Sequence, residues 1–160
     1  MSTCIALIRG INIGRNKRIS MTDLRSLVSE LGATDVRTLL NSGNVLFRTK
    51  RPNVAKLSSS MEAAITAKCG FSAGVAVITA EHLQHIIDEN PLLKLATDHS
   101  RFLVAFVSHP KLLTPLRPML TETWKPDALA IGSRAAYLWC AAGILESKLN
   151  LAFEIGRAHV

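Results

Sequence analysis

The amino-acid sequence predicts an α+β fold built from two similar units. Short apolar runs, typical of buried strands, alternate with segments whose apolar residues recur at helical spacing. Two pairs of strand-like segments enclose turn sequences, Asn-Ser-Gly-Asn at 41–44 and Gly-Ser-Arg at 132–134, and are predicted to form β-hairpins. A length of 160 residues, with 48 % apolar and 19 % charged residues, suits one compact domain or two small halves that share a core.

The first half is predicted to have the element order β-α-β-β-α-β. Its strands are expected at 4–8, 36–40, 45–49 and 75–78, and its helices at 21–31 and from 54 to near Gly70. Ser20 is a predicted N-cap because Asp23 follows three residues later, and Gly32 is the expected end of that helix. This order is that of a split βαβ, or ferredoxin-like, unit, which we predict for residues 1–79.

The second half, residues 80–153, is predicted to repeat this pattern without its last strand. Its elements are expected at 81–88 (helix), 101–107 (strand), 114–123 (helix interrupted by prolines), 128–131 and 135–140 (hairpin), and 144–153 (helix). In the usual order 4-1-3-2, the absent strand would lie beside residues 101–107. We therefore expect residues 101–107 to form a sheet edge, and Leu149, Leu151 and Phe153 to be incompletely buried.

A set of motifs, concentrated in the first fifty residues, carries a family resemblance. The motifs are Leu7–Gly14, Arg18–Met21, Leu24-Arg25, Leu31-Gly32, Asp35–Thr38 and Ser42–Phe47, with Tyr137-Leu138, Gly143 and Ser147–Leu149 further on. With them the chain resembles, over about residues 3–151, the bacterial family known as domain of unknown function 1697. The resemblance implies an α+β fold built from ferredoxin-like units, and it implies no activity and no functional residues.

The C-terminal residues 154–160 are interpreted as a non-native tail. Members of that family usually continue into a Thr-x-Arg-Asn-Trp segment and a final helix, which this chain lacks. The stretch Ile155–Val160 instead resembles the translated start of a common sequencing adapter. We therefore expect the natural protein to be cut near residue 153 or 154, and the tail is excluded from the fold and the site.

The positive charge of the chain is concentrated in its first half. Residues 1–80 carry eleven basic and four acidic side chains, a net charge of +7, whereas residues 81–160 carry eight of each. Such a field favours an anionic partner, either a phosphorylated small molecule or a nucleic-acid backbone. The alternative is a solvated basic face that only aids solubility.

The candidate binding site combines two polar segments, the loop at 10–19 and the turn at 41–44. In a split βαβ unit both segments lie at the same end of the sheet, near the N-terminus of the first helix, whereas Arg48, Lys50 and Arg51 lie at the opposite end. Cations, amides and free backbone N–H groups together favour anion binding. The alternative is that the asparagines only join the two segments. The candidate ligand-binding residues are Arg9, Asn12, Gly14, Arg15, Lys17, Arg18, Asn41, Ser42 and Asn44.

Other kinds of site are not indicated. His82 and His85 lack a third ligand placed by spacing, so no metal and no cofactor are predicted. Cys4, Cys69 and Cys140 are expected to be reduced, buried small residues. No apolar run of about 18 residues and no signal peptide is present, so we expect a cytoplasmic protein without a membrane partner.

Three functional hypotheses remain open. The first is a module that binds an anionic ligand, and the second is an enzyme that uses Asn12, Asn41, Ser42 and Asn44. The third is a protein-interaction module whose partner the sequence does not identify. Recognition of RNA by base stacking is disfavoured, because the central strands offer only Phe47.

Overall fold

The chain contains two α+β units. A computed structural model describes residues 1–107 and 109–157, with side chains described at 1–107 and 109–153. The division falls between Leu83 and Gln84, within one helix, and each unit has its own antiparallel sheet. The α+β class is therefore confirmed.

The first unit contains a four-stranded sheet and two long helices. Its elements are β1 (Ser2–Arg9), α1 (Met21–Glu30), β2 (Thr34–Leu39), β3 (Asn44–Thr49), α2 (Val54–Cys69) and β4 (Gly74–Thr79), followed by α3 (Ala80–Asp88), which contains the division. The strand order is β2-β3-β1-β4, and every neighbouring pair is antiparallel. β1 is therefore a central strand, and the loop that follows it begins in the middle of one end of the sheet.

Local sequence determines where the helices of this unit begin and end. The Ser20 hydroxyl accepts the backbone N–H of Asp23, as the predicted N-cap requires. Asn53 caps α2 in the same way through the N–H of Lys56. Gly70 then ends α2 in a left-handed conformation with φ of 75°.

The core of the first unit lies on one face of its sheet. Alternate residues of each strand point to this face, so every second position of β1 is buried while the positions between are more exposed. The two helices cover the same face through their apolar stripes. The buried residues that meet here include Cys4, Ala6, Ile8, Leu24, Leu27, Val28, Val45, Phe47, Met61, Ile65, Val75 and Val77.

The second unit has a three-stranded sheet. Its elements are a short 3₁₀ helix (His99–Arg101), β5 (Phe102–Phe106), a long 3₁₀ helix (Pro110–Thr121), β6 (Ala128–Ile131), β7 (Ala135–Trp139) and α4 (Lys148–Arg157). The strand order is β5-β7-β6, so β7 is central and every one of its residues is buried. Within the described residues β5 pairs with β7 alone, which confirms the expected sheet edge.

The proline-interrupted segment differs from the expected helix at 114–123. It is a 3₁₀ helix that begins earlier, at Pro110, and ends at Thr121. Pro115 and Pro118 lie inside it. Because proline has no N–H and its ring clashes with the carbonyl four residues back, the segment adopts the tighter 3₁₀ hydrogen bonding instead.

The last helix corrects two further expectations. α4 begins at Lys148 rather than residue 144, because the Ser147 hydroxyl accepts the N–H of Asn150 and caps it. Leu149 is 0 % and Phe153 2 % exposed, so the expectation of incomplete burial was wrong for both, while Leu151 is 63 % exposed. Leu149 and Phe153 are buried because they pack with Leu113 and Leu116 of the long 3₁₀ helix. Residues 158–160 of the interpreted tail lie outside the described residues.

The three cysteines are free thiols. Cys4 and Cys140 are buried, as expected, whereas Cys69 is half-buried. Burial raises the pKa of Cys4 and of Cys140. Both groups therefore stay protonated near neutral pH and act as small apolar residues.

Tyr137 is expected to titrate above its ordinary range in the native protein. Its ring is fully buried and its hydroxyl donates to the carbonyl of Ile86 over 2.6 Å. Burial, and then the nearby charge of Glu89, raise its pKa above 10.0. The buried, hydrogen-bonded neutral phenol of Tyr137 therefore stabilises the native protein. Because its native pKa is raised, this contribution is complete below about pH 10 and is lost as pH rises through the native pKa.

The measurement is simple because Tyr137 is the chain's single tyrosine. Tyrosinate absorbance followed against pH should rise at a higher midpoint in native protein than in the same protein unfolded by urea. Equal midpoints in the two states would contradict the burial and the hydrogen bond.

Candidate anion-binding site

The loop at 10–19, called here the basic loop, lies against the 41–44 turn. Nδ2 of Asn12 donates to the carbonyl of Asn41 over 3.3 Å, and the backbone N–H of Ile8 donates to the carbonyl of Gly43 over 3.1 Å. Two segments about thirty residues apart in sequence therefore meet at one end of the sheet. Their meeting follows from the order β3-β1, which places the start of β3 beside the end of β1.

Asn12 joins these segments and also closes the loop on itself. Its backbone N–H donates to the carbonyl of Lys17 over 2.8 Å, and its Oδ1 accepts the N–H of Ile19 over 3.0 Å. Its φ of 55° is left-handed, a conformation that asparagine tolerates better than most residues. Asn12 thus uses both ends of its amide within the protein, which agrees with the alternative that it joins the two segments.

The 41–44 turn is also stabilised internally. Nδ2 of Asn44 donates to the Ser42 hydroxyl over 3.0 Å. Gly43 is buried and has a φ of 85°, and a Cβ atom there would lie 2.8 Å from Cδ1 of Ile11 and 3.0 Å from the carbonyl oxygen of Ile8. A glycine is required at this position, because only glycine combines the left-handed backbone with so close an approach.

The cations of the basic loop are exposed. Arg15, Lys17 and Arg18 project from a segment that also contains exposed Gly14, with φ of 64°. Lys17 itself has φ of 56°, an uncommon conformation for a residue with a long side chain. In residues 1–107 and 109–153, none of these three cations forms an ion pair. Their charge is therefore available to a partner.

The side chain of Arg9 lies on the β4 side of β1. A Cβ atom placed on Gly74 would be 3.7 Å from Nη2 of Arg9, so this guanidinium lies beside the start of β4. The 41–44 turn adjoins β3, on the other side of β1. The structure therefore separates Arg9 from the turn with which the sequence analysis grouped it.

The N-terminus of α1 is less favourable to anions than the sequence analysis expected. Ser20 accepts the N–H of Asp23, and its hydroxyl also donates to the Asp23 carboxylate over 2.9 Å. Nζ of Lys68 lies 4.0 Å from that carboxylate. A negative charge already occupies the first turn and offsets the positive end of the helix dipole.

A surface groove of about 580 Å³ lies at the opposite end of the sheet, which was predicted to lie outside the site. Its lining residues are Met1, Gly32, Thr34, Arg48, Thr49, Lys50 and Arg51. Three of them are cations, and the lining contains no acidic residue. The sequence signal was the cluster of basic residues at 48–51, which the predicted topology correctly placed away from the basic loop.

Two further kinds of site are absent from the part of the chain that the structure describes. No group of three or more His, Cys, Asp or Glu side chains is close enough together there to hold a metal ion. In the same part of the chain, no helix has the length and hydropathy needed to cross a membrane.

Comparisons with known proteins identify a family and a fold. The family model described as protein of unknown function (DUF1697) matches residues 1–137. A solved structure of a conserved bacterial protein from Streptococcus pneumoniae is similar, with a TM-score of 0.74 and 17 % sequence identity. The match covers 98 % of this chain and 97 % of that one. No curated protein matches the sequence.

Proposed function

Because this chain belongs to DUF1697, a family of proteins of unknown function, we propose its function from the charge and geometry of its own first unit. The protein binds a phosphate-bearing anion at the basic loop. The observation that carries this proposal is that Arg15, Lys17 and Arg18 are exposed and free of ion pairs within the described residues, on a loop fixed by Asn12.

The fixed shape of the loop supports a binding role. Residues held in left-handed conformations store strain, and such residues concentrate at functional sites. Asn12 and Lys17, neither of them glycine, are both held in this way within six residues. A loop that is already ordered loses little conformational entropy when a ligand binds, which raises affinity for the same contacts.

The candidate residues then divide into two roles. Arg15, Lys17 and Arg18 donate to phosphate oxygens, since cationic donors form the stronger hydrogen bonds and guanidinium matches phosphate in two-point contacts. Asn12 joins the two segments, and Ser42 and Asn44 stabilise the turn through the bonds described above. The Asn41 side chain is exposed beside them and is a further polar donor. Arg9 adds charge from the β4 side.

Two features of the chain support the setting of this proposal. The order β2-β3-β1-β4 is that of a ferredoxin-like unit, and β5-β7-β6 fits the first three strands of a second one, so we extend that description to both units. The free thiols Cys4 and Cys140 fit a reducing compartment. We therefore propose that the protein is located in the cytoplasm, where phosphorylated metabolites and nucleic acids are both available.

The test compares two double variants of equal charge change. Lys17→Ala/Arg18→Ala should lower affinity for a phosphate-bearing probe by roughly tenfold, because each charge-assisted hydrogen bond contributes about 1.5–3 kcal/mol before solvent screening reduces it. Lys94→Ala/Arg117→Ala removes two exposed cations from the second unit and should leave affinity within about twofold. Binding is measured at low salt with a labelled oligonucleotide by fluorescence anisotropy.

The two sources of phosphate are separated by a second arm. A panel of phosphorylated metabolites is screened by thermal shift, since a ligand of the native state raises apparent stability. A response to a metabolite without oligonucleotide binding would assign a small-molecule ligand. Equal losses in the two double variants, or no loss in the loop variant, would contradict the basic loop as the site.

A further inference from the structure

We infer that the anion is an extended one: a nucleic-acid backbone that contacts both ends of the first unit's sheet, the basic loop at one end and the groove lined by Arg48, Lys50 and Arg51 at the other. This inference rests on the proposed function, since the basic loop is one of its two contacts. It adds a second contact and identifies the class of ligand.

The separation of the two basic ends argues against a single small ligand. Ser2 at the start of β1 pairs with Thr49, beside the groove, while Arg9 at the end of β1 adjoins the basic loop. An eight-residue strand spans roughly 23 Å at about 3.3 Å per residue. A duplex backbone covers that distance in about seven base pairs at about 3.4 Å each, whereas a small metabolite occupies one end only.

The groove itself offers donors suited to phosphate. Lys50 and Arg51 are exposed, and neither forms an ion pair within the described residues. Arg48 lies 3.5 Å from Asp35, and both side chains are about half exposed. Exposed ion pairs are weak because solvent screens them, so a phosphate competes readily for Arg48.

A cation also lies between the two ends, on the face of the sheet away from the helices. Thr34 pairs with Arg48 and Arg37 with Leu46, and because 46 and 48 are alternate residues of β3, Arg37 and Arg48 share that face. Val45 and Phe47, on the opposite face, are buried in the core.

The same face leads from Arg37 to the basic loop. Leu39 pairs with Asn44, which adjoins the 41–44 turn and hence the loop. Arg37, Leu39 and Arg48 are all exposed, so the β2 edge of this face is open to solvent, whereas Ile78 of β4, on the same face, is buried. β2 is also the edge strand, which leaves room beside it for a long ligand.

The contacts in this arrangement are to the backbone and not to the bases. The single aromatic side chain of the central strands, Phe47, is fully buried on the helix side. Backbone contacts release counterions, so the logarithm of the binding constant should fall linearly with the logarithm of salt concentration. Affinity should depend on duplex length and only weakly on sequence.

The experiment uses three double variants of the full chain. Lys17→Ala/Arg18→Ala changes the loop, Lys50→Ala/Arg51→Ala changes the groove, and Lys94→Ala/Arg117→Ala is the control with the same charge change. All six side chains are exposed, so each variant is expected to fold, which is checked by thermal melting. Binding to labelled DNA duplexes of about 4, 8 and 16 base pairs is measured over a series of salt concentrations.

Two lost phosphate contacts should reduce the salt slope by about 1.8, at about 0.9 per phosphate. We expect this reduction in the loop and groove variants and not in the control. The wild type should bind the 8-base-pair duplex markedly better than the 4-base-pair duplex, and the groove variant should lose most of that difference.

The outcomes separate this inference from the proposed function. If the loop variant loses affinity while the groove variant matches the control, the extended ligand is wrong and the proposed loop site stands. If the groove variant alone loses affinity, the proposed function fails and this inference fails with it. If neither differs from the control, both fail.

Discussion

Replacing Phe47 by alanine is expected to lower the free energy of unfolding by about 3–5 kcal/mol, the usual cost of truncating a buried phenylalanine. The Phe47 side chain is 0 % exposed and belongs to the core that β1, β3 and both helices share. Its loss removes apolar burial and leaves a cavity between the sheet and the helices. Since small domains have only about 5–15 kcal/mol of stability, this loss is severe.

The measurement must report on the first unit. Both tryptophans, Trp124 and Trp139, belong to the second unit, so tryptophan fluorescence would follow the wrong sheet. Urea unfolding followed by far-ultraviolet circular dichroism gives the overall change. Hydrogen exchange of the amides of 44–49 shows whether the loss is located at β3. Unchanged protection of that segment would contradict the assigned core.

A conservative variant of the same residue tests its role in binding. Phe47→Leu keeps an apolar side chain in place and should cost less than the alanine variant, so that the protein remains folded. Its affinity for duplex and for single-stranded oligonucleotides should equal that of the wild type, because the ring faces the helices. A loss of affinity in this folded variant would indicate base stacking and contradict a contact made through the backbone alone.

Elements determined by neighbouring residues could be predicted from the sequence. Ser20 and Asp23 begin α1 through bonds three residues apart, and Gly70 ends α2 through its own left-handed backbone. The Asn-Ser-Gly-Asn turn likewise carries its own conformational preference, and β2 and β3 flank it as expected. In these cases the information lies within a few residues.

Features that depend on distant residues were missed or misplaced. α4 begins four residues later than its apolar pattern indicates, because Ser147 caps it while donating to Asp127, twenty residues earlier in sequence. Asn12 bonds the N–H of Ile19 and the carbonyl of Asn41, which agrees with the alternative that it joins the two segments, and its contact with a ligand stays a prediction.

Two features of the site depend on strand register. One is the separation of Arg9 from the 41–44 turn, and the other is the groove at Arg48–Arg51. The topology predicted which end of the sheet each segment occupies. It did not predict that the Arg9 side chain lies beside Gly74, or that Thr34 and Arg48 pair and so line one groove. Such details follow from side-chain packing and cross-strand pairing, which a single sequence does not reveal.

Replacing Gly43 by alanine is expected to be the second severe change, because this glycine holds the two segments of the site together. A left-handed backbone costs a non-glycine residue about 1–2 kcal/mol. The added Cβ would also lie 3.0 Å from the carbonyl oxygen of Ile8 and 2.8 Å from Cδ1 of Ile11, and such overpacking costs about 1–3 kcal/mol. Together these effects should lower the free energy of unfolding by about 2–5 kcal/mol.

Gly14→Ala is the matched control, because it isolates the backbone contribution. Gly14 also has a left-handed φ, 64°, but nothing lies within 4 Å of the position that a Cβ would take. This variant should therefore cost only about 1–2 kcal/mol. Gly43→Asn provides the complementary case: asparagine tolerates the left-handed backbone, but the close approach to Ile8 remains, so much of the destabilisation should persist.

The local effect is read from one hydrogen bond. The amide of Ile8 donates to the carbonyl of Gly43, so Gly43→Ala should accelerate hydrogen exchange at Ile8, and Gly14→Ala should not. Because the turn then moves away from Asn12, the basic loop loses its support, and phosphate affinity should fall although no cation has been removed. Equal costs for the two alanine variants, with unchanged exchange at Ile8, would mean that the close approach at Gly43 does not hold the loop in place.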